Sequence, residues 1–353
     1  MRAAILRRAS MVVDELPALT PGRGQVLVDT IACGICGSDL HTVDGAHEMV
    51  AVSADADSPL FGFDPEADLV MGHEISVRVV ATGEGVDPSM TGLEAAAMPS
   101  LVVDGHRVVP GYDNRYPGGY CEQLLLDPAA LVPIPNGLDP AIAALTEPLA
   151  VGLHAANQAA LERNRAAIVI GAGPVGLSVI AALAAAGVAP IIAADLSPRR
   201  RALATHLGAH VVVDPGEADD RRTGLQLVVD AWRHAGGGTP PVVFEAVGVP
   251  GMLDAAMAAA PAGSELVVVG VCMQPDRIRP MMGILKHLTL RFVLGWTPSE
   301  FVASLHNLAE GRIDGAAFVT GQVGLDDVPA AFAALADPED HVKILVRPNG
   351  GAD

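Results

Sequence analysis

The chain predicts an α/β protein with two domains: a six-stranded, doubly wound parallel sheet beside a smaller β-rich domain. Three observations carry that reading. At 353 residues, the chain is long enough to build two hydrophobic cores. Its first part, to about Leu153, is a succession of short apolar runs broken by Gly and Pro. From His154 onward the pattern changes to strand, helix, strand, helix, and its first strand runs straight into Gly171-Ala172-Gly173-Pro174-Val175-Gly176.

In order, Ala3–Leu6, Val26–Ala32, Ile75–Thr82, Arg107–Val109 and Glu122–Leu126 have strand-like apolar patterns. Pro21-Gly22, Gly83-Glu84-Gly85, Pro110-Gly111 and Pro117-Gly118-Gly119 punctuate them as turns. The stretch Asp44 to Leu69 reads as a long acidic loop, with His47, Glu48, Asp55, Asp57, Asp64, Glu66 and Asp68 along it. Its two readings are a wall or lid beside a site, and a solvated surface insertion. Met90 to Ser100 is given no role.

In the second part, Ala167–Ile170 reads as a buried strand, Val175–Ala186 as the following helix closed by Gly187, and Ile191–Ala194 as the next strand, ending at Asp195. G-x-G-x-x-G is a weak signal alone. Placed between strand and helix, with an acid about 20 residues on, it predicts a dinucleotide site. Gly171 permits the tight turn, Gly173 lets the backbone approach a pyrophosphate, and Gly176 lets helix and strand pack closely. The helix start at Pro174 and Val175 turns free N–H groups and a positive dipole end toward the phosphates. Val211–Val213, Val242–Glu245, Leu266–Val269 and Leu290–Leu294 complete the parallel sheet. Ser299–Glu310 and Val328–Ala336 read as helices and Val342–Val346 as a last strand.

Asp195 is placed to accept hydrogen bonds from both hydroxyls of an adenosine ribose, and its charge opposes a 2′-phosphate, so NAD is expected and NADP is less favoured. Arg199, Arg200 and Arg201 work against this preference, because arginine near that site can hold the phosphate.

The other chemistry-bearing stretch is Gly34-Ile35-Cys36-Gly37-Ser38-Asp39-Leu40-His41, which follows the strand at Val26–Ala32. Gly72-His73-Glu74 and Thr146-Glu147-Pro148 add an imidazole and two carboxylates from distant segments. Cysteine, histidine and carboxylate are the ligand types of a catalytic zinc, which takes three protein ligands and keeps one position open.

With these motifs in hand, the chain resembles the zinc-dependent medium-chain dehydrogenase/reductase superfamily from first strand to last. The likeness is closest to its polyol (sorbitol), butanediol and threonine dehydrogenase branch. The resemblance implies a GroES-like, β-barrel-type catalytic domain formed by residues 1–153 and 297–353, and an NAD-binding Rossmann domain at 154–296. It implies Cys36 and His73 as fixed zinc ligands, with Glu74 and Glu147 sharing the remaining position, and Asp39 orienting His73. Many relatives carry four closely spaced cysteines for a second, structural zinc. Here the corresponding stretch, Pro110 to Pro117, has no cysteine, so one catalytic zinc and no structural zinc are expected. Val247, Val269-Gly270-Val271 and Leu294-Gly295 are implied to line the nicotinamide side. A basic side chain at Arg200 is implied to bind the cofactor ribose, and one at Lys343 its pyrophosphate.

The implied reaction passes hydride from a secondary alcohol of polyol, diol or hydroxy amino acid type to NAD, with zinc as Lewis acid. Ser38 would take the alcohol proton and His41 pass it to solvent through a ribose hydroxyl. Two rival readings remain open here: a zinc-free quinone or enone reductase of the same superfamily, and a non-catalytic dinucleotide-binding protein.

Composition bounds the partners. Net charge is −19, which argues against nucleic acid, since a phosphate backbone needs clustered Lys and Arg. Half the residues are hydrophobic, yet the longest apolar candidate, Val175 to Ala186, is too short to span a membrane. The four cysteines are too sparse for a disulfide framework. The first residues have no signal-peptide core. A cytoplasmic enzyme of a small-molecule alcohol or ketone, assembled as a homodimer or homotetramer, is the expectation.

Overall fold

The computed structural model describes all residues except 59, 160–165, 219–222, 336, 338 and 351–353. The chain divides into two compact units: Met1–Glu147 with Leu308–Glu310 and Phe318–Asp353, and Pro148–Asn307 with Gly311–Ala317.

The first unit is built on a seven-stranded sheet ordered Val319–Val323, Lys343–Val346, Val26–Gly34, Glu74–Thr82, Glu94–Ala97, Leu131–Pro133, with Gln123–Leu126 also pairing with Val26–Gly34. Strand Val26–Gly34 alternates mostly β-branched and small residues, and both its faces are largely buried. Two features differ from expectation. Asp44–Leu69 is not a continuous loop: a helix runs Gly37–Asp55 and kinks at Gly45. Only Asp39, Thr42, Met49 and Ser53 along it are buried, too thin a stripe for periodicity to reveal. Glu94–Ala97, within the stretch 90–100 that the sequence reading gives no role, is a sheet strand. Its composition, Glu-Ala-Ala-Ala, has helical preference, and only its two sheet neighbours make it a strand.

The second unit is a six-stranded parallel sheet ordered Val211–Val213, Ile191–Ala194, Ala167–Ile170, Val242–Glu245, Glu265–Val268, Thr289–Phe292. The order reverses at Ala167–Ile170, and that reversal opens the crevice where dinucleotides bind in such sheets. The core on one face joins Ile168, Ile170, Ile192, Val243 and Leu266 to Val228, Val229 and Trp232 of helix Gly224–His234. Thr223 and Gln226 cap that helix reciprocally, satisfying two of the N–H groups its first turn leaves open.

Helix Pro298–Ala309 groups mainly with this second unit, whereas the sequence reading sets residues 297–353 with the first. The reason is polar. Glu300 accepts from His154 Nδ1 at 2.8 Å, from Asn157 Nδ2 at 2.8 Å, and from the Thr297 N–H and hydroxyl at 2.8 Å each.

Candidate active site

The sheet register of the first unit assembles the site. Gly34 pairs with Glu74 on one side and with Leu345 on the other, so the ends of three strands meet where the chain turns into Cys36. Cys36 is the N-cap of helix Gly37–Asp55, and His73 immediately precedes strand Glu74–Thr82. The ligand atoms of Cys36, His73 and Glu74 lie within 4.8 Å of one another. A glycine is required at position 34: a Cβ there would stand 1.9 Å from Glu74 Oε2.

Glu74 is fully buried and its charge is met by Lys343, whose Nζ lies 2.7 Å and 2.8 Å from the two carboxylate oxygens and 2.9 Å from the Ile35 carbonyl. These contacts use all three ammonium donors. The expectation that Lys343 reaches a cofactor pyrophosphate is therefore corrected: the ammonium is committed to Glu74, and the side chain is 1 % exposed. Burial opposes its charge, but Glu74 and Cys36 outweigh burial and raise its pKa. Glu147 stands in the first turn of helix Thr146–Gln158, buried, and contributes to the same negative field at Lys343.

Asp39 accepts from the Cys36 N–H at 2.9 Å and from the Tyr120 hydroxyl at 2.6 Å, both on Oδ2. Its Oδ1 has no hydrogen-bond partner and faces His73 Nδ1 at 3.6 Å. A nearer group, the Tyr112 hydroxyl, lies 3.3 Å from that nitrogen and 3.0 Å from Ser38 Oγ. Burial pushes the Tyr112 hydroxyl above an ordinary phenol. Burial also opposes a charge on His73, but Tyr112, Asp39 and Cys36 reverse the balance and hold it well above its usual value. Such a pocket favours a positive charge at its centre. Thiolate, imidazole and carboxylate donors at this spacing fit zinc. His41 lies on the next turn of the same helix as Ser38 and is half-buried.

In the second unit, Gly171 adopts φ +91°, and a Cβ on Gly176 would lie 1.9 Å from the Gly171 carbonyl. Gly173 is the N-cap of helix Pro174–Ala185, with Pro174 and Val175 in its first turn. Beyond Gly173 the space is open apart from Arg200 Nη1, 3.8 Å from its Cβ position. The Nε of Arg200 is buried without a hydrogen-bond partner. Asp195 accepts from the Ala172 N–H at 2.7 Å and the Ser197 N–H at 2.8 Å, one on each oxygen, leaving further lone pairs on both. Arg201 is engaged elsewhere, bonding the Asp195 and Leu196 carbonyls and pairing with Asp214 at 2.9 Å. Val269 is buried just past strand Glu265–Val268, while Val247 and Val271 are exposed beside the turn that Glu245 holds through the N–H groups of Val247 and Gly248.

Sequence reasoning missed Tyr112, Tyr120 and Glu300. None stands in a motif. The one available signal was Pro110-Gly111 before Tyr112, a turn that delivers an aromatic ring beside Gly72-His73-Glu74.

Residues 22–136 match the alcohol dehydrogenase GroES-like domain and residues 174–310 match the zinc-binding dehydrogenase family. The (R,R)-butanediol dehydrogenase of Bacillus subtilis is 36% identical over 344 residues, covering 95% of each chain. That of Neisseria gonorrhoeae is 30% identical over 367 residues, covering 99% of this chain and all of the other. The crystal structure of 2R,3R-butanediol dehydrogenase from Bacillus subtilis superposes with a TM-score of 0.83 at 33% identity, covering 99% of both chains.

Proposed function

Given that this chain belongs to the zinc-binding alcohol dehydrogenases with a GroES-like domain, we propose that it oxidises a vicinal diol of the butanediol type, or reduces the matching hydroxyketone. The enzyme is a zinc-dependent oxidoreductase acting on a small alcohol with a nicotinamide dinucleotide. The grouping of Cys36, His73 and Glu74 within 4.8 Å carries the reading, because a zinc-free reductase has no use for it.

The first unit holds the catalytic residues and the second the cofactor. Cys36 and His73 are the fixed ligands, and a carboxylate, Glu74 or Glu147, completes the set. When bound, zinc supplies Lewis acidity to the substrate oxygen. Lys343 balances the buried charge of Glu74 and so holds that carboxylate back from a permanent bond. Asp39 fixes the start of the Cys36 helix through the Cys36 N–H. Ser38 meets the substrate hydroxyl, and His41 carries the proton onward. Asp195 selects the ribose of NAD, and Arg200 attends the same end of the cofactor. Val247, Val269 and Val271 line the nicotinamide side. The protein assembles as a homo-oligomer through the edge of its parallel sheet and acts in the cytoplasm.

The test is a panel of butanediol stereoisomers, sorbitol and threonine with NAD, run beside metal analysis. Butanediol turnover and one zinc per chain are expected. Turnover that survives complete removal of zinc sinks the reading, and preferential turnover of sorbitol or threonine sinks the diol assignment.

A further inference from the structure

We propose that Tyr112 is a positioning residue of this site: it accepts the Nδ1 hydrogen of His73 and donates its own hydrogen to Ser38. The inference rests on the dehydrogenase reading above and deepens it.

The order of donors follows from the atoms present. His73 turns Nδ1 toward Tyr112 and Asp39, which leaves Nε2 as the nitrogen for a metal. A neutral imidazole that gives its Nε2 lone pair to a metal carries its hydrogen on Nδ1. Of the two acceptors near Nδ1, the Tyr112 oxygen at 3.3 Å is within hydrogen-bond reach, and Asp39 Oδ1 at 3.6 Å is beyond it. A phenol that accepts there must donate elsewhere, and Ser38 Oγ at 3.0 Å is the partner. Having accepted, the Ser38 hydroxyl keeps its own hydrogen to offer. A second lone pair remains on its oxygen, so Ser38 takes the substrate proton on that side while passing its own hydrogen on toward His41.

The phenol is held in place for this. Its ring stands edge-on to Phe61, with centroids 4.9 Å apart at 82°, and lies 5.4 Å from the His73 ring. Two residues on, Asn114 ties the loop to the segment that carries Phe61, accepting from the Asp64 N–H at 2.7 Å and donating to the Asp64 and Asp68 carbonyls at 3.1 Å each. The cysteine-free stretch Pro110–Pro117 thus delivers a hydroxyl to the metal site.

The variant Tyr112→Phe keeps the ring and removes the hydroxyl. It is compared with S38A and the double variant by kcat, KM for NAD, melting temperature and the visible spectrum of the Co(II)-substituted protein. Expected are a loss in kcat of about tenfold, an unchanged KM for NAD, a shifted Co(II) spectrum, and less than a twofold further loss when Tyr112→Phe is added to S38A. A purely structural tyrosine would lower the melting temperature, and its effect would add in full to that of S38A. An unaltered kcat, an unaltered Co(II) spectrum, or full additivity overturns the proposal. If the parent protein turns over no alcohol, the dehydrogenase reading falls, and the Co(II) spectrum alone then decides whether Tyr112 holds His73.

Discussion

At the scale of single residues, Cys36 and Asp195 belong to different units, and the proposed function gives the first to the metal and the second to the cofactor. The Cys36 thiol lies at the start of its helix, within the ligand group formed with His73 and Glu74. Replacing it by alanine removes a ligand without disturbing the glycine loop. Cys36→Ala is expected to lose zinc and turnover while binding NAD with unchanged affinity, measured by metal analysis and cofactor titration; full activity would remove Cys36 from the ligand set. Asp195 offers charge-assisted hydrogen bonds, each contributing roughly 1.5–3 kcal/mol, so NAD should be preferred by about ten- to a hundredfold. In Asp195→Ala, the ratio of kcat/KM for NAD over NADP should fall, with Arg200 as the cation available beside Gly173, since Arg201 is paired with Asp214. A parent that already prefers NADP would contradict the role given to Asp195. The glycines, the acid and the thiol can be singled out from the sequence because each type is demanded at a fixed place in a local motif. Tyr112 cannot be, because its meaning comes from contacts 39 and 74 residues away in sequence.

Elements are held here by a few buried polar contacts. Glu300 anchors helix Pro298–Ala309 to helix Thr146–Gln158 through His154 and Asn157. Burial alone would raise its pKa, but hydrogen bonds from Asn157, Thr297 and His154 outweigh burial and bring it down to about 2 from an ordinary 4.5. A depressed carboxylate contributes stability that is full above the unfolded value and is lost as pH falls toward the folded one. The melting temperature should therefore decline between about pH 4.5 and 2. Glu300→Gln should start lower at neutral pH and show a shallower acid decline; an identical acid profile in the variant would clear Glu300 of that role. Lys343 is the corresponding anchor in the first unit. Lys343→Met leaves a buried carboxylate uncompensated, for which about 3–5 kcal/mol of lost stability is expected in chemical denaturation. A loss below about 1 kcal/mol would mean that Glu74 finds another partner or a proton.

For the whole molecule, the parallel sheet ends in two edge strands, Val211–Val213 and Thr289–Phe292, each with a single neighbour among the described residues; the second exposes the more apolar surface. Beside it, Met281, Ile284, Leu285, Phe292 and Leu294 are each at least 60 % exposed. An open edge flanked by large apolar side chains is the surface that the proposed homo-oligomer would cover. Light scattering should give a dimer or larger, and Leu285→Glu combined with Phe292→Glu should shift it toward monomer while the glycine loop still binds NAD. A parent that is monomeric at micromolar concentration would refute the assembly. No helix among the described residues is long and apolar enough to cross a membrane.

The sequence by itself determined the parallel sheet, its glycine loop, and the residue types of the metal site. Strand and helix periods, turn glycines and ligand chemistry act over a few residues, so a linear reading detects them. Only the tertiary structure decided what those residues touch. Whether Lys343 meets a phosphate or Glu74 depends on the pairing of strands far apart in the chain, and that pairing buries its ammonium against a carboxylate. Whether Glu-Ala-Ala-Ala is helix or strand depends on the neighbours that take its hydrogen bonds. The ligand pattern could name His73, but the phenol that holds it comes from a loop folded back across the sheet, and no local rule places it there.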